Sequence, residues 1–232
     1  MSTDPSDEID LGVIVALPAE ADGWAGLRPD AFAVEVAGPG RERARRAAER
    51  AVERGARALL SWGVAGGLSP QLRSGDLLLP RRIVSGSGEW PTHDGWRARL
   101  LRALTDVHEI DILHCGDAPV ISPGEKQALA LRGFGAVDME SAGVAEAAAR
   151  AGVPFVAVKA VCDPAARAVP RLALRMLGPE GLLRWRSIVE AALAGPGTWR
   201  ELNSLRQDFG AACAGLRRAA QELPRAAGDG AP

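Results

Sequence analysis

Residues 136–163 read AVDMESAGVAEAAARAGVPFVAVKAVCD and contain the elements of an alternating α/β fold. The alanine-rich part predicts a helix over 141–151, and Gly152 would end it because glycine accepts the left-handed conformation that often follows a helix. The apolar run at 154–161 is short and continuous, as expected of a strand buried on both faces. A helix followed directly by such a strand predicts a sheet covered by helices.

The same stretch places two carboxylates, Asp138 and Glu140, just before the predicted helix. No Lys or Arg lies within four residues upstream of them, and none follows until Arg150. Negative charge is favoured at a helix N-terminus, so the pair could be a solvated cap. It could equally be kept free to hold a ligand, and the local sequence leaves both interpretations open.

Strands and helices alternate along most of the chain. Ser122 as N-cap and Glu125 at the capping-box position mark the start of one helix. The alternation predicts a single α/β domain over 9–222, with a central twisted sheet, mostly parallel (mixed), flanked by helices on both faces. Residues 1–8 and 223–232 are expected to be disordered tails. Further strands are predicted at 11–17, 31–38, 56–62, 76–84 and 110–115, and helices at 41–54, 96–107, 122–131, 171–194 and 198–222.

The composition is that of an ordinary soluble globular protein, since 47% of the 232 residues are hydrophobic and 25% are charged. The net charge of -1 gives no reason to expect binding to nucleic acid or to an anionic surface. Cys115, Cys162 and Cys213 share no metal-ligand or disulfide spacing, so no metal is expected. Without an N-terminal signal or a long apolar run, the chain is expected to be cytoplasmic.

The carboxyl ends of the predicted strands define a candidate site, since ligands of open α/β sheets bind there. This rule selects residues 16–20, 61–67, 138–140 and 159–163.

Three carboxylates in this set follow separate strands: Glu20, Glu140 and Asp163. The glycine-rich run at 63–67 would let the backbone approach a flat ligand closely. Acids at three strand ends suit a reaction through a cationic sugar. One acid would protonate the leaving base, one would hold the ribose hydroxyls, and one would orient the nucleophile.

Other functions remain open on this pattern alone. A nicotinamide dinucleotide could use GPGRERA at 38–44, but the next strand ends in Ser61-Trp62, without an acid for a ribose hydroxyl. The Gly-x-Ser-x-Gly turn of serine hydrolases is absent from the sequence. The arginine-rich segment 41–57 could bind nucleic acid, yet its interleaved glutamates are typical of a solvated helix face. A nucleoside-binding module without turnover is a further alternative.

Three segments in order, VIVALPAEAD, SWGVAGGLSPQLRSGDLLLP and AVDMESAGVAEAAARAGVPFVAVKAVCD, resemble the nucleoside phosphorylase and nucleosidase superfamily of the methylthioadenosine/S-adenosylhomocysteine nucleosidase type. The resemblance spans residues 11–163. The run CDPAARAVPRLAL looks most like the hopanoid-associated branch, which is linked to removal of adenine from adenosylhopane. The resemblance therefore implies a nucleoside phosphorylase-like fold and an enzyme that cleaves the N-glycosidic bond of a purine nucleoside, with water or phosphate as acceptor.

The resemblance also implies roles for individual residues. Met139 would lie against the ribose, and Glu140 would accept hydrogen bonds from both of its hydroxyls. Asp163 would protonate or hydrogen-bond the purine at N7, and Glu20 would position the attacking water. The turn that lines the sugar and the base would contain Gly63, Ala65 and Gly66.

Three positions depart from the family pattern. Cys162 replaces the usual Ser before Asp163; it is expected beside the substrate but is a weaker hydrogen-bond donor. Asp138 replaces the usual Glu. The loop SGSGEWPTHDGW (85–96) is shorter than the aromatic-bearing loop that encloses the 5′ group and helps to build the dimer in relatives.

We expect no cofactor. Phosphate is a candidate co-substrate, with Gly40, Arg41 and Arg43 as candidate ligands, whereas Glu20 favours water. The expected partner is a small nucleoside with a large apolar 5′ group, and the chain is expected to form a homo-oligomer and not to bind nucleic acid. Leucines and arginines over 171–193 could form a lip for that group and touch an anionic membrane weakly, or could simply pack on the sheet.

Overall fold

A computed structural model describes residues 10–25, 32–169 and 196–226, and within them an α/β architecture. The strands are β1 Leu11–Val15, β2 Phe32–Val36, β3 Ala58–Gly67, β4 Leu77–Ser85, β5 Gly88–Pro91, β6 Val107–Cys115, β7 Ala136–Asp138 and β8 Phe155–Asp163. The α-helices are α1 Pro18–Ala21, α2 Arg41–Glu53, α3 Asp94–Ala103, α4 Pro123–Leu131, α5 Ser141–Ala151 and α6 Pro196–Ala226, and a 3-10 turn at Asp22–Trp24 follows α1.

Five strands of the sheet close into a ring in the order β3, β8, β4, β6, β7 and back to β3. The strands β1 and β2 extend the sheet from β3 in parallel. The pairs β3–β7, β4–β5 and β4–β8 are antiparallel. The structure confirms the predicted mixed, mostly parallel sheet, since five of its eight described strand pairs are parallel. The ring brings the ends of β3, β7 and β8 close together.

Both faces of the central strands β3 and β8 are buried, as their continuous apolar runs predicted. Along β8, Phe155 and Ala157 pack on the side of α2 and α5, while Val156 and Val158 pack on the side of α3 and α6. Successive side chains of a strand point to opposite faces, so a strand between two helical layers must be apolar at every position.

The helices α2 and α5 pack through small residues. Four alanines of α2 are fully buried, and Gly143 of α5 lies so close to α2 that an added Cβ would be 2.1 Å from the backbone oxygen of Arg41. This close approach sets the N-termini of the two helices side by side. The buried alanines of α2 are Ala44, Ala47, Ala48 and Ala51.

Several predicted boundaries are confirmed and others differ. Ser122 and Glu125 form the predicted capping box of α4, and Gly152 ends α5 in the left-handed conformation. The strands β5 and β7 were not predicted, and β3 continues through the glycine run to Gly67. The last helix extends to Ala226, beyond the predicted end at 222. The predicted helix at 171–194 lies outside the described residues, as do residues 1–8.

Within the described part of the chain, none of the helices has the length and apolar character needed to cross a membrane.

Candidate active site

Four charged side chains meet where β1, β3, β7 and β8 end. Lys159 of β8 is 1% exposed, and its Nζ lies 3.0 Å from Oδ2 of Asp138. The carboxylates of Glu140 and Glu20 also act on this ammonium. Burial alone would lower the pKa of Lys159, but the three carboxylates outweigh it and raise that pKa. Two of the three predicted acids, Glu20 and Glu140, therefore share a buried cation with Asp138, whereas the third, Asp163, pairs with Lys126.

Glu20 is held in place by backbone amides. Its Oε2 accepts hydrogen bonds from the N–H groups of Ala16 and Leu17, both at 2.8 Å, and its Oε1 accepts one from Val64 at 3.1 Å. Burial raises the pKa of Glu20, although these amides and Lys159 oppose the shift. A Cβ at Gly63 would lie 2.8 Å from Oε1, so only glycine lets β3 pass this close to the carboxylate.

Glu140 bridges the N-termini of α2 and α5. Its Oε1 accepts a hydrogen bond of 2.8 Å from the Gly40 amide, and its Oε2 accepts one of 3.2 Å from the Met139 amide. Burial, reinforced by the charge of Asp138, raises the pKa of Glu140 to about 7. Because this pKa lies near neutral pH, a small change in pH alters the charge of Glu140.

Asp138 has two structural partners besides its place in the site. Its Oδ2 accepts hydrogen bonds from the Ser141 amide at 3.1 Å and the Ser141 hydroxyl at 2.5 Å, and it pairs with Lys159. Asp138 therefore caps the first turn of α5 and neutralises a buried cation. The counter-charge that the local sequence lacked comes from β8, 21 positions along the chain.

Asp163 lies at the end of β8, next to a second buried lysine. Its Oδ2 is 2.7 Å from Nζ of Lys126, and its Oδ1 accepts a hydrogen bond from Sγ of Cys162 at 3.0 Å. Cys162 thus supplies the donor expected from a serine. Burial, and secondly the charge of Asp163, raises the pKa of this thiol well above its ordinary value. A Cβ at Gly66 would lie 3.1 Å from Oδ2, so Gly66 leaves room for the carboxylate.

Sequence reasoning missed Lys126, and it included Lys159 in the candidate range 159–163 without assigning it a role. Lys126 is fully buried and Lys159 nearly so. The signal was present, because these are the only lysines among 28 basic residues. In an arginine-rich chain, a retained lysine marks a position where a compact ammonium fits and a guanidinium does not.

The candidate phosphate ligands lie beside a cavity of about 720 Å³. Gly40, Arg41, Arg43 and Met139 are among its lining residues, whereas Glu20 and Asp163 are not. Arg41 pairs with Glu146 at 2.8 Å, and the Gly40 amide already donates to Glu140. Phosphate binding at this turn would compete with those contacts and stays a prediction.

The fold has well-covered matches among solved structures. The 5′-methylthioadenosine/S-adenosylhomocysteine nucleosidase from Neisseria meningitidis, in complex with methylthio-immucillin-A, superposes with a TM-score of 0.68 at 17% identity, over 93% of this chain and 98% of that one. Futalosine hydrolase from Helicobacter pylori gives a TM-score of 0.67 at 17% identity, over 94% and 97% of the two chains. At these identities the matches confirm the predicted nucleoside phosphorylase-like fold.

The family follows from the sequence itself. No curated protein matches the sequence significantly. Residues 31–176, more than half of the chain, match the phosphorylase superfamily. The match confirms the predicted enzyme class, a nucleoside phosphorylase or nucleosidase. With its fold, its cluster of carboxylates at the strand ends and this match, the chain belongs to the phosphorylase superfamily.

Proposed function

We propose that the protein cleaves the N-glycosidic bond of a purine nucleoside and releases the free base. The observation that carries this proposal is the meeting of Glu20 and Glu140 around Lys159, with Asp163 at the end of the same strand as the lysine. A transition state with a cationic sugar is stabilised by fixed negative charge on one side and by support for the departing base on the other.

Each acid has a position that suits one part of the reaction. Glu140, next to Met139, would accept hydrogen bonds from the ribose hydroxyls once it is ionised. Asp163 would protonate or hydrogen-bond the purine at N7. Glu20, held by three amides, would orient the attacking group and take up its proton, because burial raises its pKa.

Water is the acceptor that the geometry favours. Glu20 is 2% exposed, and a phosphate beside this carboxylate would bring two anions together in a buried place. Phosphorolysis at the turn of Gly40, Arg41 and Arg43 is the second candidate, because these residues line the cavity that also contains Met139. Comparison of base release with and without phosphate separates the two.

The proposed 5′ substituent is a large apolar group, as in adenosylhopane. The support is the sequence resemblance of the run after Asp163 and the short 85–96 segment, which forms β5 and the start of α3 in place of a long loop. The leucines and arginines at 171–193, proposed as a lip for that group and as a weak membrane contact, lie outside the described residues. Methylthioadenosine or S-adenosylhomocysteine is the alternative substrate.

The direct test is release of adenine from a panel of nucleosides. Adenosine, methylthioadenosine, S-adenosylhomocysteine and adenosines with 5′ alkyl tails of increasing length would be incubated with the full chain, with and without phosphate. We expect release without phosphate, and kcat/KM that rises with tail length, since each buried methylene contributes about 0.8 kcal/mol. Binding without release from any of them would show a nucleoside-binding module instead of an enzyme.

A further inference from the structure

Lys126 of α4 is a fully buried cation with four oxygen acceptors and no role in the proposed chemistry so far. Its Nζ lies 2.7 Å from Oδ2 of Asp163. The same Nζ donates to the backbone oxygens of Asp163 at 2.9 Å, Pro164 at 3.0 Å and Arg167 at 3.0 Å. One side chain thus holds both the carboxylate of Asp163 and the turn that follows it.

These partners require the ammonium form of Lys126. A carbonyl oxygen only accepts hydrogen bonds, so the three carbonyls around this nitrogen call for the three hydrogens of an ammonium, while its positive charge is matched by the carboxylate. A neutral amine has two hydrogens and would leave buried acceptors without a donor, which is costly. The buried ammonium in turn requires a negative partner, and Asp163 is the carboxylate at its side.

The opposite oxygen of Asp163 is also set up to accept. Oδ1 accepts a hydrogen bond from the thiol of Cys162, with Sγ 3.0 Å away. With Lys126 on one oxygen and Cys162 on the other, both oxygens of Asp163 face donors. Each contact favours the ionised carboxylate, which can only accept hydrogen bonds.

An acceptor at this position discriminates between two forms of the purine. N7 of an intact adenosine carries no hydrogen and is itself an acceptor, so it is mismatched to an ionised Asp163. As the N9–C1′ bond breaks, its electron pair passes into the purine, and the oxygen of the attacking water bonds to C1′. N7 becomes more basic and takes up one proton, which balances the proton that the attacking water gives to Glu20. The resulting N7–H is a donor and matches the carboxylate. The site is then complementary to the departing base and not to the bound substrate.

We propose that Lys126 is a positioning residue that keeps Asp163 an ionised acceptor and so tunes the purine end of the site for a base with hydrogen on N7. This inference rests on the proposed function and deepens it. Lys126 acts through Asp163, because its contacts are to that residue and to the turn after it. The position of α4 is secured independently by the capping box of Ser122 and Glu125.

Two unreactive analogues test this preference by binding alone. In 9-deazaadenosine the sugar is joined through carbon and N7 carries a hydrogen, whereas 7-deazaadenosine has a C–H at that place. Calorimetric titration of the wild-type chain should give a dissociation constant about 10- to 100-fold lower for 9-deazaadenosine, the range for one hydrogen bond to a charged group. Equal binding of the two analogues would overturn the proposal.

The variant Lys126→Gln keeps a donor but removes the charge. We expect the ratio of the two dissociation constants to fall to about 3-fold or less in this variant. Such a fall corresponds to the loss of most of one charge-assisted hydrogen bond. A purely structural lysine would weaken both analogues alike and leave their ratio unchanged, which would contradict the proposal. Arg97→Met is the matched control, because Arg97 is a buried cation that pairs with Asp94 and Glu109, away from Asp163, and should keep the wild-type ratio.

A measurement on the wild-type chain covers the case in which Lys126→Gln does not fold. Lysine labelled with ¹⁵N at Nζ gives signals from only two residues, Lys126 and Lys159. The proposal expects Lys126 to remain an ammonium with and without 9-deazaadenosine, and a neutral amine there would overturn it. Failure of the proposed function looks different, because the chain would then release no base from any nucleoside, whether or not it binds the analogues.

Discussion

At the scale of single residues, the site is a problem of charge balance. Asp138, Glu140 and Glu20 share one ammonium, Lys159, and all of these side chains except the half-buried Glu140 are buried. One cation cannot neutralise three carboxylates, so at least one of them must bind a proton more tightly than in water. The raised pKa of Glu140 and of Glu20 is the expected result. Asp138 is the carboxylate in direct contact with Lys159, at 3.0 Å.

Replacement of Asp163 tests the purine end. We expect Asp163→Asn to reduce adenine release by about 10²- to 10⁴-fold, the usual contribution of assistance to a leaving group. Asparagine keeps the size of the side chain and an oxygen that Lys126 can reach, but it removes the negative partner of a buried ammonium. The variant should therefore be less stable, and its activity is measured at a temperature at which it is still folded. Steady-state kinetics with circular dichroism as the control for folding would measure this. Turnover near the wild-type rate would remove Asp163 from the mechanism.

Protonation of Glu140 should make the rate of the reaction fall at pH values below about 7. Glu140 must be ionised to accept hydrogen bonds from the ribose, and its pKa is raised to about 7 by burial and by Asp138. We therefore expect kcat/KM for a riboside to rise with pH through about 7. Glu140→Gln should remove most of this pH dependence and harm ribosides far more than 2′-deoxyribosides. Equal harm to both substrates would indicate a structural role.

The same shift has the opposite effect on stability. A carboxyl whose pKa is higher in the folded chain than in the unfolded one stabilises the fold below its unfolded pKa of 4.5, and this contribution is lost as the pH rises through about 7. The pH that activates Glu140 therefore weakens the fold. Urea unfolding at pH values on either side of this window, compared with Glu140→Gln, would show the difference.

The sequence predicted the acids better than their partners. Glu20 and Glu140 were found because each follows a strand, and parallel strands end at a common edge. Lys159 fell within the selected range 159–163, but its place inside an apolar run gave no indication of its partners. Lys126 could not be placed at all, because no charged residue lies three or four positions from it in its helix. Their partners are distant in sequence and become visible only when the strands are assembled.

At the scale of elements, the contact of α2 with α5 decides where Glu140 meets the Gly40 amide. Alanines and Gly143 let the two helices approach closely. Their N-termini therefore lie side by side, and the Gly40 nitrogen is 2.8 Å from Oε1 of Glu140. The helices were predicted from composition, but nothing in either helix alone indicates that they touch.

Gly143→Ala tests this contact against helix propensity. In an isolated helix, Gly to Ala stabilises by about 1 kcal/mol. Here the new Cβ would meet Arg41 O at 2.1 Å, so we expect a net loss of about 1–3 kcal/mol, typical of overpacking, together with reduced activity. The control is Gly210→Ala in α6, where nothing lies within 4 Å and stabilisation is expected. Denaturant unfolding of both variants measures the contrast, and the same sign for both would refute the packing argument.

The two unpredicted strands were missed for different reasons. The strand β7 has only three residues, AVD, which is too short for a period to be read. The strand β5 contains Gly88 and Pro91 and is largely exposed, so it looks like a turn in sequence. Both pair with strands that were predicted, and their strand form comes from that pairing. Local propensity contributes little.

At the scale of the whole molecule, stability should be concentrated in β3 and β8. β8 has hydrogen-bonded neighbours on both sides, β3 contacts three strands, and nearly every residue of the two is buried. We expect their amides to exchange with deuterium most slowly, at the rate of global unfolding, while β5 exchanges by local opening. Exchange followed by mass spectrometry would show this order. Peptides from β5 as protected as those from β8 would contradict it.

The closed ring also governs how copies of the chain can meet. A free sheet edge is a template for strand addition from another molecule, and such addition leads to aggregation. In the described sheet only β2 and β5 lie at an edge, because the ring strands are paired on both sides. β5 has four residues and ends in Pro91, which lacks an N–H for a further strand, and β2 has five. The described strands therefore offer little for intermolecular strand addition, and self-association through this sheet should depend on side-chain surfaces instead.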